Sequence, residues 1–533
     1  MGNYVPWLSD HCPIYSTITL NDLQKNAIIA SRPFDIEPNF IFDTKSKDRF
    51  ISELKTKETN DKFAELLARN MSAMDMGTQI KTILIEDAKK CKMKTKKQPK
   101  SSDSSAPWFD GQCIKTKNSL RNLGKQLKRE PSNRNIRKNL LEQKRLFRKI
   151  ISNKKSKYKN NIIDKMSKRD KSQKEFWKLL EKLSDKKTNI SNYVSHDSFS
   201  NHFKYLLNSN NRNDIPPRSR ETGELDNPIT IEELKKASEI LKPGKAVGVD
   251  NLSNEMIFCL VESNLLVLLK LFNLILNGDE ILPEWVIAYI VPIYKSGSKS
   301  DPANYRGVSL LSCMGKLFLS IINNRLLTYA ADKNILSSSQ LGFRKGNRTS
   351  DAHIIIHNLI NKYCHKYNSK IYSCFIDLSK AFDTVPRDIL LQKLLNQGIK
   401  GKLFNIIRSI YSNDMACIKM NNQCTKSFVV NQGVRQGCVL SPLLFNLFLA
   451  DLPKRLNLVQ EKLKVDNIEL NSLLWADDIV LFSKNEEKLT EMINVLESYC
   501  KENKLTINEK KNKMFNFQQT WTPCKTKVLS KWI

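Results

Sequence analysis

A mixed α/β (α+β) chain, with carboxylates carried to the ends of neighbouring strands of one sheet, is what the sequence predicts. Three stretches predict it. In residues 473–482 (LLWADDIVLF) two adjacent carboxylates interrupt an apolar run. The run is short for a helix. The β-branched and aromatic residues around Ala476, Asp477 and Asp478 suit two strands joined by a tight turn. Residues 371–383 (IYSCFIDLSKAFD) read as an apolar strand ending in Asp377. A helix follows, with Leu390, Leu391, Leu394 and Leu395 on one face and Gly398 as its stop signal. Between them, residues 432–442 (QGVRQGCVLSP) form a Gly-punctuated loop running into a helix, a shape that lets backbone approach a ligand closely.

Two negative charges at the tip of a hairpin with buried arms are costly without a partner. A hard cation such as Mg²⁺, bound through one or two carboxylates and substrate phosphates, is a natural one. Taken alone, residues 473–482 would also suit a surface Asp-Asp turn. Asp377 beside that hairpin adds a third repelling carboxylate. Two metal ions about 3.5–4 Å apart would relieve the repulsion while clamping a phosphoryl group.

The order FIDLSKAFD, QGVRQGCVLSPLLFN, WADDIVLFS resembles the reverse transcriptases of non-LTR (LINE-type, jockey/RTE-like) retrotransposons. The resemblance implies a right-hand polymerase with helix-rich fingers and an antiparallel palm sheet backed by helices. It implies template-directed addition of deoxynucleotides (dNTPs) to a primer 3′-hydroxyl, with Mg²⁺ (or Mn²⁺) as cofactor. Asp377 and Asp477 would hold both metal ions, with Asp478 supporting. Lys295 and Arg306 match the fingers residues that contact the triphosphate. Phe382 matches an aromatic that sits under the sugar and rejects a 2′-hydroxyl. Gln436 and Gly437 would lie by the template–nucleotide pair, and Lys511 would approach the leaving pyrophosphate. Trp475 departs from the Phe or Tyr usual before Ala-Asp-Asp; it either crowds the primer end or repacks.

Composition bounds the partners. The chain has 533 residues, a formal charge of +32 and a pI near 9.6, so its surface attracts polyanions and its binding should depend on salt. A lysine-rich proteome would raise the charge as well. The 40% hydrophobic and 27% charged fractions describe a soluble globular protein. Twelve cysteines without a C-x-x-C pair or zinc spacing read as reduced thiols of an intracellular protein, in nucleus or cytoplasm. Residues 265–276 are interrupted by Lys270 and Asn273, so no membrane span is expected, nor a signal peptide.

In chain order, residues 1–20 look like the closing strand of a metal-dependent endonuclease, with Asp10 and His11 as a catalytic remnant. Residues 21–107 are a connector holding a basic tract (89–100) and a Ser/Pro-rich linker; the tract could also serve nuclear import. Residues 108–225 form a basic helical extension, an electrostatic track for RNA template or target DNA, or else a solvated helical face. Leu120, Leu123 and Leu127 recur at helical spacing there, and Phe147, Phe176 and Trp177 read as packing residues. Residues 226–370 would be the fingers, opening with an amphipathic helix at 229–241 and a Gly/Pro turn that is no Walker loop. Gln340, Gly342, Phe343 and Arg344 resemble a block lying along the template. His353 and His357 read as ordinary helix residues. Residues 371–515 would be the palm and 516–533 the truncated start of a thumb or tail. Two other readings are a non-catalytic nucleic-acid-binding relic and a group II intron-type reverse transcriptase with a maturase role. A viral RNA-dependent RNA polymerase is disfavoured by Phe382. Oligomeric state is not legible.

Overall fold

The computed structural model describes residues 34–35, 40–93, 106–167, 179, 193–208, 214–278, 281–421, 423–465, 468–508, 512–517 and 522–523. The expectations placed on Asp10, His11, Phe176, Trp177 and Lys511 lie outside these residues. A short strand, β1 (Phe34–Asp35), precedes helices α1 (Thr44–Leu54), α2 (Lys57–Ala68) and α3 (Ala73–Lys90). Each helix starts where a side-chain oxygen of Asp43, Thr56 or Ser72 accepts an otherwise unpaired backbone N–H. The basic segment folds as two long helices, α4 (Gly111–Arg129) and α5 (Arg134–Ser167). They break where Pro131 removes a backbone donor, and Lys154 meets Asp110 at 2.5 Å across the hairpin. Phe147 packs edge-on against Phe109 at 6.5 Å, so there it is a packing residue. Helix α6 (His196–Leu206) follows.

Helix α7 (Ile231–Ser238) is shorter than the 229–241 expected. A capping box between Thr230 and Glu233 starts it, and the chain has left the helix before Pro243. Helix α8 (Asn254–Gly278) corrects another expectation: by length and composition it is apolar enough to cross a membrane. In the fold α1, α2, α3 and α7 pack around it. Lys270 caps the end of α2, donating to the carbonyls of Leu66, Leu67 and Arg69 at 3.1, 2.9 and 2.6 Å. Asn273 bonds both backbone groups of Ile229. The polar residues that interrupt the apolar run thus serve neighbouring backbone, and the run itself is core.

The remaining elements are α9 (Pro283–Val286), β2 (Ile287–Tyr294), β3 (Tyr305–Leu310), α10 (Cys313–Asp332), α11 (Thr349–Ile360), β4 (Ile371–Asp377), α12 (Ala381–Thr384), α13 (Arg387–Asn396) and α14 (Gly401–Ser412). Then come β5 (Met415–Met420), β6 (Gln423–Cys424), β7 (Phe428–Val429), α15 (Ser441–Phe448), α16 (Leu452–Leu456), β8 (Leu463–Val465), β9 (Ile468–Leu470), β10 (Ser472–Trp475), β11 (Asp478–Ser483), α17 (Glu486–Glu502), β12 (Lys513–Phe517) and β13 (Thr522–Pro523). The fold is mixed α/β, as expected. One sheet runs β1-β6-β5-β2-β3, with β7 also on β5 and β2 parallel to β5. A second, wholly antiparallel sheet runs β10-β11-β4-β12-β13.

The second sheet is buried on both faces, which is why its strands read as unbroken apolar runs. Successive side chains alternate between two cores. Cys374, Ile376, Ile479 and Leu481 enter the main core with the surrounding helices. Ile371, Phe375, Val480 and Phe482 join a smaller cluster with Leu359 and Tyr363 on the other face. Trp475 packs into that smaller cluster, so it repacks. The ten cysteines among the described residues are all free.

Candidate active site

The turn of the β10–β11 hairpin is Ala476–Asp477, with Ala476 in the left-handed region (φ +58°). Asp478 opens β11 directly opposite Asp377, the last residue of β4. Opposed residues on neighbouring strands share a face, so the two carboxylates leave the sheet together. Asp477 sits one residue back, and its carbonyl accepts the Leu378 N–H at 3.3 Å. Asn508 holds Asp377 twice: its backbone N–H donates to the Asp377 carbonyl at 2.8 Å, and its Nδ2 to Oδ2 at 2.8 Å. Nothing in the spacing around Asn508 marks it, in the sequence, as the partner of Asp377.

The three carboxylates line one cavity of about 850 Å³ that also takes in Lys295, Arg306, Phe382, Gln436 and Asn508. Every expected site residue that the structure describes is therefore at one cavity; Asp10, His11 and Lys511 lie outside the described residues. Lys295 follows β2 and donates its N–H to the Asn304 carbonyl at 2.9 Å; Arg306 stands on β3 opposite Ile293. Both are exposed on the cavity wall. His353 and His357 are exposed on α11, and neither lines this cavity.

The loop before α15 forms the opposite wall. Gly437 has φ +113°, and a Cβ there would stand 2.6 Å from the Ser309 carbonyl oxygen, so only glycine fits against β3. The Ser309 N–H closes the contact on the Gln436 carbonyl at 2.7 Å. Gln436 Nε2 donates to Asp383 Oδ1 at 2.8 Å, while burial pushes the Asp383 carboxyl up to about 6. Below the loop lies a buried triad that no sequence pattern announced. Asp414 is held between Arg387 at 2.5 Å and Arg435 at 2.7 Å, each side chain at most 3% exposed. The two guanidiniums also bond the carbonyls of Gly433, Tyr411, Trp285 and Val286, tying the loop to α9 and α14.

A second loop, 339–343, is sewn to the Asp hairpin. The N–H groups of Leu341 and Gly342 donate to the Leu474 carbonyl, and Leu474 N–H donates to the Ser339 carbonyl. A Cβ on Gly342 would stand 2.5 Å from the Ala476 nitrogen. Asn446, buried on α15, donates to the Gly342 carbonyl and accepts from Gln340 Nε2. Arg344 donates to the Ser337 carbonyl at 2.8 Å, an internal role within the block expected along the template.

Among the described residues no three His, Cys, Asp or Glu side chains converge into a ready metal cage. The donor set fits a different arrangement. One or two carboxylates at a cavity mouth, completed by substrate phosphates, is how Mg²⁺ is usually bound. Oxygen-only donors at the Asp377–Asp478 pair, with Asp477 adjacent, match it.

Comparison with known proteins bears on the same residues. Residues 293–529 match the family described as reverse transcriptase (RNA-dependent DNA polymerase). The probable RNA-directed DNA polymerase from transposon BS of Drosophila melanogaster is 31% identical over 313 residues, covering 57% of this chain and 33% of the relative. The RNA-directed DNA polymerase from mobile element jockey of Drosophila funebris is 32% identical, covering 51% and 29%. A Pol polyprotein from a type-1 R2 element of Nasonia vitripennis is 26% identical, covering 55% and 28%. The chain thus spans about a third of the length of these relatives. Among solved structures, apo telomerase from Candida tropicalis aligns with a TM-score of 0.34 at 13% identity, covering 45% of each chain. The antiparallel Asp-bearing sheet and the family match fall in one stretch: residues 293–529 are similar to the reverse transcriptase family, and the relatives that the chain resembles are RNA-directed DNA polymerases of transposons and mobile elements.

Proposed function

We propose that this chain is an RNA-directed DNA polymerase that adds dNTPs to a primer 3′-hydroxyl, with Mg²⁺ held by Asp377, Asp477 and Asp478. The observation that carries the reading is the register of Asp478 on Asp377, at a cavity whose walls carry Lys295, Arg306 and Phe382. When bound, a pair of Mg²⁺ ions supplies acidification of the attacking hydroxyl and charge for the departing pyrophosphate. The protein's own groups do the rest. Asn508 keeps the Asp377 carboxylate aimed into the cavity. Arg306 and Lys295 bind the triphosphate, the guanidinium in bidentate fashion and the ammonium as a point charge. The Phe382 ring occupies the space a 2′-hydroxyl would need. Gln436, its amide held by Asp383, meets the template–nucleotide pair. Lys511 approaches the pyrophosphate.

In this reading β2 and β3 belong to the fingers, β4 and β10–β12 to the palm. The basic hairpin α4–α5 guides the RNA template or the DNA target, and the DNA primer enters beside the Asp turn. The test is primer extension by the full chain on a DNA-primed RNA template with dNTPs and Mg²⁺ or Mn²⁺. Template-length products are expected. Asp477→Asn should abolish them while leaving RNA binding near that of the unaltered chain. A chain that binds RNA but never extends the primer would instead support the non-catalytic relic.

A further inference from the structure

Phe382 is held from two sides. Its ring is stacked on Phe445 of α15, with centroids 4.5 Å apart and planes 19° from parallel. On the other side Phe343 meets it edge-on at 5.9 Å and 82°. Phe445 is fully buried, whereas Phe343 is 51% exposed on the cavity and takes a left-handed backbone (φ +58°) that a bulky residue rarely adopts. The next residue of α15, Asn446, holds the Gly342 carbonyl at 2.8 Å. One turn of one helix therefore supplies the stacking ring and anchors the loop that carries the edge-on ring. The backbone is clamped as well, since the Val434 N–H donates to the Phe382 carbonyl at 2.7 Å.

We propose that Phe445 and Phe343 are positioning residues that set sugar selectivity by holding the plane of the Phe382 ring. The proposal rests on the reading that Phe382 stands against C2′ of the incoming nucleotide. A phenylalanine ring excludes one oxygen atom only if it cannot turn aside. Phe382 sits on a helix of four residues and is itself only half-buried, so its own element does not immobilise it. Offset-stacked and edge-to-face neighbours do, because each restricts rotation about the bonds that would move the ring away.

The experiment measures kcat/KM for a dNTP and for its ribonucleotide on a DNA-primed RNA template. Four variants of the full chain are compared: Phe382→Val, Phe445→Leu, Phe445→Tyr and Phe343→Ala. Phe382→Val should lose most of the discrimination. Phe445→Leu and Phe343→Ala should each lower the dNTP:rNTP ratio by roughly two- to tenfold, the factor that losing one ring pair corresponds to. Phe445→Tyr, which keeps the ring, should retain the ratio. Combining Phe445→Leu with Phe382→Val should lower it no further than Phe382→Val alone, as for groups acting through one another. A merely structural role for Phe445 would depress both nucleotides alike and leave the ratio unmoved. Phe343 is exposed, so its replacement tests the idea even if Phe445→Leu fails to fold. Relaxed selectivity in Phe382→Val with unchanged ratios in both neighbour variants would overturn the inference and leave the gate reading standing. Unchanged selectivity in Phe382→Val would overturn both.

Discussion

Burial raises two aspartates to about 6: Asp250, under a hydrogen bond from Ser312, and Asp383, under one from Gln436. In the unfolded chain both would ionise near their ordinary value of 3.8. The folded chain therefore holds more protons between about pH 4 and 6, and their contribution to stability grows as pH falls through that window and is lost as pH rises through 6. Asp250→Asn should flatten this part of the stability curve. Thermal unfolding of both chains at several pH values checks it: the difference in Tm between Asp250→Asn and the unaltered chain should shrink toward pH 4, and a constant difference would contradict it. At this scale the sequence was most legible where chemistry leaves a pattern. Asp377, Asp477 and Asp478 stand out because charge interrupts apolar strands. Asn508 and Asp383 do not, because an amide beside a strand and a carboxylate after a phenylalanine carry no period of their own.

Among elements, the loop before α15 depends on a charge arrangement deep in the protein. Asp414 is the carboxylate paired with both Arg387 and Arg435, and its removal leaves two buried guanidiniums without that counter-charge. Breaking such a pair typically costs about 3–5 kcal/mol, so Asp414→Ala should lower the unfolding midpoint sharply and disorder the wall that carries Gln436. Denaturant unfolding measures the first effect, and a destabilisation below about 1 kcal/mol would contradict the bracing role. Strand and helix types were readable because short apolar runs rich in β-branched and aromatic residues mark β4, β10 and β11, and helical leucine spacing marks α13. Lengths were less so. The start of α7 is set by Thr230 and Glu233, its end by the approach of Pro243, and the break between α4 and α5 by Pro131, all local effects weaker than the apolar pattern around them. The triad was invisible because its members meet only when α13, β5 and the loop pack.

Across the whole molecule, the positive charge is concentrated on the α4–α5 hairpin. Arg121, Lys125, Lys144 and Arg148 rim its apolar groove and are exposed. Replacing all four by Gln should weaken RNA binding and flatten the plot of log affinity against log salt, by up to about 0.7 for every single-strand phosphate that is no longer neutralised. The Tm should stay put, since exposed charges contribute little to folding. An unchanged salt slope would mean that this face is merely solvated. Long-range pairings, such as β1 with β6 or Phe199 of α6 against Tyr305, left no trace in the sequence, because antiparallel partners far apart in the chain share no pattern.

The central claim is that Asp377 and its neighbours hold metal ions together with the substrate's phosphates. Mn²⁺ binding, followed by its electron paramagnetic resonance signal, tests it most directly. The full chain alone should bind weakly; adding a chain-terminated primer on RNA template with the next dNTP should tighten binding markedly, and Asp377→Asn should abolish the tightening. Equal Mn²⁺ binding by Asp377→Asn in the complete complex would contradict the account.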